Sequence, residues 1–200
     1  FAEFGAEVIK IEPPSGDPAR LMTPFGQTVE GVGIPFLFEG RNKRYMTLDL
    51  RGSDADRQDF RRLAQKATVV IETFPPGDMD SWGIGYRQLS QENPGLIYIA
   101  ISPYGQYTEK AKQFRGMPDS DLTSQAGSGL PAEMGDVPDS GEPYNWPLRA
   151  GMWAAWYICG LSAVLSGMVA LIHRQLAGQG QMIDIASMDA YASMVTMPPT

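Results

Sequence analysis

The residues able to do chemistry in this 200-residue chain are carboxylates rather than imidazoles or thiols, because it holds one His and one Cys. His173 follows a long apolar run beside Arg174, where a cation complements a helix carboxyl end, so a Ser/His/Asp arrangement finds no support. Cys159 lies inside the same run and reads as a small buried hydrophobe, and a protein-only zinc site has too few ligands. The carboxylates near a candidate site are Asp49, Glu72, Asp119 and Asp121. Any of them could attack an activated acyl group to form a mixed anhydride. Asp184 and Asp189 read as structural caps or pairs. The cations Arg41, Lys43 and Arg44 stand just ahead of a strand, where they could meet a phosphate or face solvent. There is no phosphate loop, and Gly83-Ile84-Gly85 is a bare G-x-G that does not follow a strand.

Periodicity places these residues. Strands are predicted at 8–12 (VIKIE), 45–50 (YMTLDL), 68–73 (TVVIET), 96–101 (LIYIAI) and 182–186 (MIDIA). Ser53 caps a predicted helix whose inner face is Phe60, Leu63, Ala64 and Ala67. Strand alternating with helix implies a parallel sheet, and in such sheets ligands gather at the carboxyl ends of the strands. Two loops sit there, Thr73-Phe74-Pro75-Pro76-Gly77 and Ser102-Pro103-Tyr104-Gly105, each joining rigid backbone to one aromatic ring. Either could grip a flat or extended ligand, or be a plain strand-to-helix turn. Residues 119–129 form a short helix, and 130–147, rich in Gly, Pro and Asp, form a loop.

The chain is organised around 148–174, which has no charge between Arg149 and His173. It is long enough to cross a bilayer. Gly160, Ala163, Gly167 and Ala170 recur along one helical face and let another backbone approach closely. Sheet elements on both sides favour a buried core helix, since a lone span would part them across a membrane. The net charge of −7 argues against a nucleic-acid binder. Acidic residues and the lack of an apolar run at the N-terminus argue against a signal peptide and for a cytoplasmic protein.

Together the stretches 4–20, 42–50, 69–86 (VVIETFPPGDMDSWGIGY), 93–106 (NPGLIYIAISPYGQ), 120–130 (SDLTSQAGSGL) and 178–190 (GQGQMIDIASMDA) resemble the class III CoA-transferases, the formyl-CoA and carnitine CoA-transferase family. The resemblance implies an α/β fold: a Rossmann-like parallel sheet with flanking helices and a long buried apolar helix, in an interlocked dimer. It implies one large domain over 1–200, with a Rossmann-like part at 1–129, a loop at 130–147, and a helix, strand and helix at 148–200. It also implies further chain beyond Thr200 and a strand and half a helix before Phe1. It implies coenzyme A or acyl-CoA as substrate, with no permanently bound cofactor. Leu48 and Phe74 match residues lining the CoA site, and Thr73 stands where the family has Asn. Pro13 stands where some members place an adenine-contacting Arg. With Arg41, Lys43 and Arg44, residues Leu48, Thr73 and Phe74 form the expected binding set.

The resemblance breaks at the reacting group. The family's nucleophilic Asp stands five residues after a glycine matching Gly151, and that position is Trp156. The His of related acyl-CoA racemases is Ser120. The reading that follows is the non-catalytic subunit of a heteromeric CoA-transferase, its homologous partner supplying the Asp, as in members acting on aromatic succinates. The donor would be an acyl-CoA such as succinyl-CoA and the acceptor a carboxylic acid. The alternatives are an active transferase using a displaced carboxylate, Asp119 or Asp121, and an acyl-CoA-binding protein without chemistry.

Overall fold

A computed structural model describes residues 1–114, 116–117, 120–133 and 147–194, and the chain divides into two compact units, 1–63 and 64–200.

In the first unit β1 (Val8–Glu12) pairs in parallel with β4 (Lys43–Thr47), and β2 (Thr28–Val29) and β3 (Val32–Gly33) make a small hairpin ahead of α1 (Ile34–Glu39). The β1 ladder is anchored by a buried acid. Glu12 is 5% exposed, and Arg20 donates to it through Nε at 2.7 Å and Nη2 at 3.1 Å. That bidentate guanidinium holds the Glu12 carboxyl below the usual range, and it stacks 4.2 Å over the Phe36 ring. The predicted strand at 45–50 is shifted toward the N-terminus, to 43–47. Asp49 explains its end: its N–H donates to Asp56 Oδ2 at 2.6 Å and its own Oδ1 accepts from Gly52 N–H at 2.9 Å. These bonds turn the backbone out of the ladder.

The unit boundary falls in α2 (Asp54–Lys66). Ser53 Oγ accepts the Asp56 N–H at 3.2 Å, so the predicted cap is present. Phe60 and Ala64 are buried and Leu63 half-buried, whereas Ala67 lies beyond the helix end.

The second unit is built on three parallel strands in the order β5 (Val69–Glu72), β6 (Ile97–Ser102), β7 (Met182–Ala186). α3 (Asp78–Ser81) and α4 (Tyr86–Glu92) join β5 to β6. α5 (Glu109–Gln113), α6 (Asp121–Ser128), α7 (Leu130–Glu133) and α8 (Ala154–Ala177) lie between β6 and β7, and α9 (Ser187–Ala192) follows. β7, the strand expected within 148–200, pairs in parallel with β6. The expected loop at 130–147 falls largely outside the described residues, but its first four residues are α7.

α8 lays its small residues on the sheet. Ala163 and Ala170 close a core with Ile97, Ile99 and Ile185, and Ala155, Cys159 and Gly167 are buried along the same face. The helix begins at Ala154, later than the apolar run does, because Met152 has a left-handed φ of 60° and cannot be helical. It ends at Gly178, whose N–H donates to the Arg174 carbonyl at 2.8 Å. Two residues on, a Cβ at Gly180 would run into the Leu96 carbonyl, so only glycine lets the chain turn this closely into β7. The helix is long and apolar enough to cross a membrane, yet its inner face is taken up by the sheet. Burial within this chain is one-sided. Leu161, Leu165, Val169, Ile172 and Leu176 are exposed, because nothing among the described residues covers that face.

Candidate functional site

Strand register brings Glu72, at the end of β5, Ala100 of β6 and Asp184, in the middle of β7, into one row across the sheet. Strand alternation puts this row, with Tyr98 and Ser102, on the face opposite the Ile97–Ile99 core. The two carboxylates stand two strands apart, about 10 Å by strand spacing. Glu72 holds the first of the predicted loops, and Asp184 holds the backbone just past the second. Glu72 Oε2 accepts the Phe74 N–H at 2.7 Å, and the Phe74 ring sits edge-on to Trp82 with centroids 5.2 Å apart. Asp184 accepts the Gln106 N–H at 2.8 and 2.9 Å and the Tyr107 N–H at 3.4 Å. Gly105 is required between them. Its φ is +82°, and a Cβ would lie 3.2 Å from Asp184 Oδ2 and 3.1 Å from the Thr108 methyl.

A small cleft opens between these loops, lined among others by Glu72, Asp80, Tyr86, Tyr98, Gln106 and Tyr107. Among the described residues no cation lines it, so it suits hydrogen-bond donors better than phosphate. Glu72 is 8% exposed, and burial pushes its carboxyl up to about 7 against the pull of the Phe74 N–H and the Tyr98 hydroxyl. Asp80 and Asp184 push the same way as burial. Burial, then the Glu72 charge, drives the Tyr98 phenol upward, so it stays protonated. The Glu72–Tyr98 pair was only half legible beforehand. Glu72 was a candidate carboxylate, and the signal for Tyr98 was a phenol in the otherwise apolar strand LIYIAI.

A second constellation surrounds the start of α8. Trp156 is the third residue of that helix and its residue surface is 41% exposed. Its N–H donates to Asp121 Oδ1 at 3.2 Å, while Gln125 Nε2 donates to Asp121 Oδ2 at 2.6 Å. Asp121 is 4% exposed and Gln125 fully buried. Gln125 Oε1 in turn accepts the Ala150 N–H at 2.9 Å. One turn of α6 therefore holds the segment 150–156 by both members of an i, i+4 pair. Ser120 is the N-cap of α6 and forms a capping box with Thr123. Asp121 thus has both oxygens committed, as a helix cap would. Asp119 lies outside the described residues.

The remaining members of the expected binding set are divided. Thr73 and Phe74 are in the second unit, on the loop held by Glu72. Leu48 and the three cations are in the first unit. Leu48 is buried and its N–H donates to the Glu12 carbonyl at 2.9 Å. Arg41 pairs with Glu3 at 2.6 Å and lies over the Phe38 ring, and Lys43 Nζ donates to the Glu39 carbonyl at 2.7 Å. Arg44 pairs with Glu7 at 2.8 Å. Arg41 and Lys43 share one surface hollow; Arg44 is not among its lining residues. Pro13 ends β1, directly after the buried Glu12.

Comparison with known proteins adds the following. The sequence model of CoA-transferase family III matches residues 1–200. The chain is 34% identical to the succinyl-CoA:(R)-benzylsuccinate CoA-transferase subunit BbsE of Thauera aromatica, over 96% of this chain and 45% of the relative. It is 33% identical to the succinyl-CoA:mesaconate CoA-transferase of Haloarcula hispanica, over 97% of this chain and 48% of the relative. Its fold superposes on the crystal structure of a CAIB/BAIF family protein from Brucella suis with a TM-score of 0.84 and 34% identity, over 96% of this chain and 48% of that one. The chain spans about half the length of the curated relatives it matches.

Proposed function

The chain belongs to CoA-transferase family III, and from that premise we propose that it is part of a cytoplasmic enzyme that moves coenzyme A from an acyl-CoA donor to a carboxylic acid. In this reading it is the subunit without the attacking acid, and a homologous chain supplies that acid. The relatives named for succinyl-CoA support succinyl-CoA as the donor, and the relative named as a subunit supports a two-chain assembly.

One observation carries the subunit reading. The third residue of α8, where the resemblance expects the nucleophile, is an indole, and the carboxylate beside it is already spent on the helix. A nucleophile must present a free, ionised oxygen to the thioester carbonyl. Asp121 is 4% exposed, with one oxygen accepting a backbone N–H and the other a buried amide, so its burial keeps it from an incoming thioester. The framework for holding a ligand is nevertheless kept, in the two locked loops at the strand ends. The exposed apolar face of α8 supports a covering partner chain, since large contiguous apolar patches are seldom left to solvent.

The displaced-carboxylate reading has one point in its favour: Asp121 lies against the backbone of the very residue that replaces the acid. Its burial counts against it. Transfer from succinyl-CoA, assayed with the purified chain alone and with a homologous chain carrying Asp at the 156 position, separates the two. Turnover only in the mixture is expected. Turnover by the chain alone, with hydroxylamine trapping on Asp121, overturns the subunit reading.

A further inference from the structure

We propose that Asp184 is the positioning residue of the loop that follows β6: from β7 it fixes the backbone just past Gly105, and with it the place of the Tyr104 ring. The proposal deepens the reading above, because it assumes that the loop 102–105 holds part of coenzyme A.

Open parallel sheets receive ligands on the loops at the carboxyl ends of their strands, and such a loop must keep its shape without a ladder. β6 ends at Ser102 and α5 starts at Glu109. Between them the chain makes its own local bonds: the Thr108 hydroxyl donates to the Tyr104 carbonyl and accepts the Ala111 N–H at 2.9 Å, capping α5. Further ties come from β7 and α9. The Met188 N–H donates to the Pro103 carbonyl at 3.2 Å, ahead of the turn at Gly105. After the turn, the Gln106 N–H lies between both Asp184 oxygens, at 2.8 and 2.9 Å, and the Tyr107 N–H follows at 3.4 Å. Tyr104 stands between these two ties, its ring against Phe114 with centroids 4.8 Å apart.

Asp184 is suited to this by its place in the sheet. It is a mid-strand residue in register with Ala100 of β6, so its backbone cannot follow the loop. A carboxylate that accepts backbone N–H groups makes charge-assisted bonds, stronger than those between neutral partners. The close approach of the loop depends on Gly105, where a Cβ would lie 3.2 Å from Asp184 Oδ2. Asp184 is also exposed, so its removal leaves the core intact. The other acidic tie to this segment, Asp189 to Lys110 at 3.2 Å, joins two side chains that are each more than half exposed and fixes no backbone. Without Asp184 the Gln106 and Tyr107 amides turn to water, the turn at Gly105 relaxes, and the Tyr104 ring leaves its place.

The test compares the full chain with Asp184→Ala, Asp184→Asn, Gly105→Ala and Lys110→Ala, using coenzyme A as the probe in calorimetric titration and deuterium exchange over residues 103–108 as the loop readout. Asp184→Ala should quicken exchange there and bind coenzyme A about tenfold more weakly, the order that losing one charge-assisted bond supplies. Asp184→Asn keeps an oxygen that accepts the Gln106 N–H, so it should recover most of the affinity. Gly105→Ala crowds the same contact, so its loss of affinity should be less than additive with that of Asp184→Ala. Lys110→Ala should match the wild type in both readouts. Unchanged exchange in Asp184→Ala, or full additivity with Gly105→Ala, overturns the proposal, and so does a loss in Asp184→Asn equal to that in Asp184→Ala. Quickened exchange in Asp184→Ala but not in Asp184→Asn, in a chain that does not bind coenzyme A or binds it equally in every variant, keeps the positioning role and overturns the coenzyme A reading of this loop instead.

Discussion

Two buried acids show how the same carboxyl group takes opposite roles through its surroundings. Asp121 is held by a backbone N–H and a glutamine amide, so it acts as a cap for α8. Replacing it by alanine leaves the Gln125 amide and the Trp156 N–H without their partner. Asp121→Ala should lower unfolding free energy by about 1–3 kcal/mol in urea titration, with the loss concentrated in exchange of the amides that open α8. Glu72 has its carboxyl raised to about 7. Its proton is therefore bound more tightly in the folded chain than in the unfolded one. The stability this supplies is complete below the ordinary carboxyl value and is lost as pH rises through about 7. Thermal unfolding from pH 5 to 8.5 should show the wild type losing stability relative to Glu72→Gln, by at most about 3 kcal/mol. The opposite slope would show that Glu72 is ionised and paired in the fold.

At the scale of elements, α8 has two faces with opposite tolerance. Ala163 and Ala170 are under 4% exposed against Ile97, Ile99 and Ile185. A leucine at Ala170 would have to lift the helix from the sheet, and calorimetry should find Ala170→Leu destabilised by about 1–3 kcal/mol. On the other face Leu165 is 59% and Ile172 56% exposed. Leu165→Ser with Ile172→Ser should leave the chain's own unfolding within about 0.5 kcal/mol of wild type, as surface changes do. The same pair should weaken co-purification with a homologous subunit, and an unchanged yield would place the contact elsewhere. The small-residue stripe was readable in the sequence from its spacing. Which strands it meets was not, because a stripe specifies close approach without naming the surface approached.

For the molecule as a whole, the sequence by itself determined the place of the longer strands, but not the short antiparallel hairpin of β2 and β3 or the division into separate sheets. Strand alternation, β-branched runs and Gly/Pro stops are local properties, so VIKIE, LIYIAI and MIDIA lie within a residue of where they were expected. It also determined the framework that likeness to CoA-transferase family III implies, and the indole at 156 that departs from it. The tertiary structure alone decided what each acid does. Asp184 locks a loop 77–78 residues away in sequence, and Asp121 caps a helix 35 residues further on. It likewise tied each expected cation to a partner in its own unit. Hydrogen bonds and burial depend on which distant backbone arrives beside a carboxylate, and no local pattern encodes that arrival.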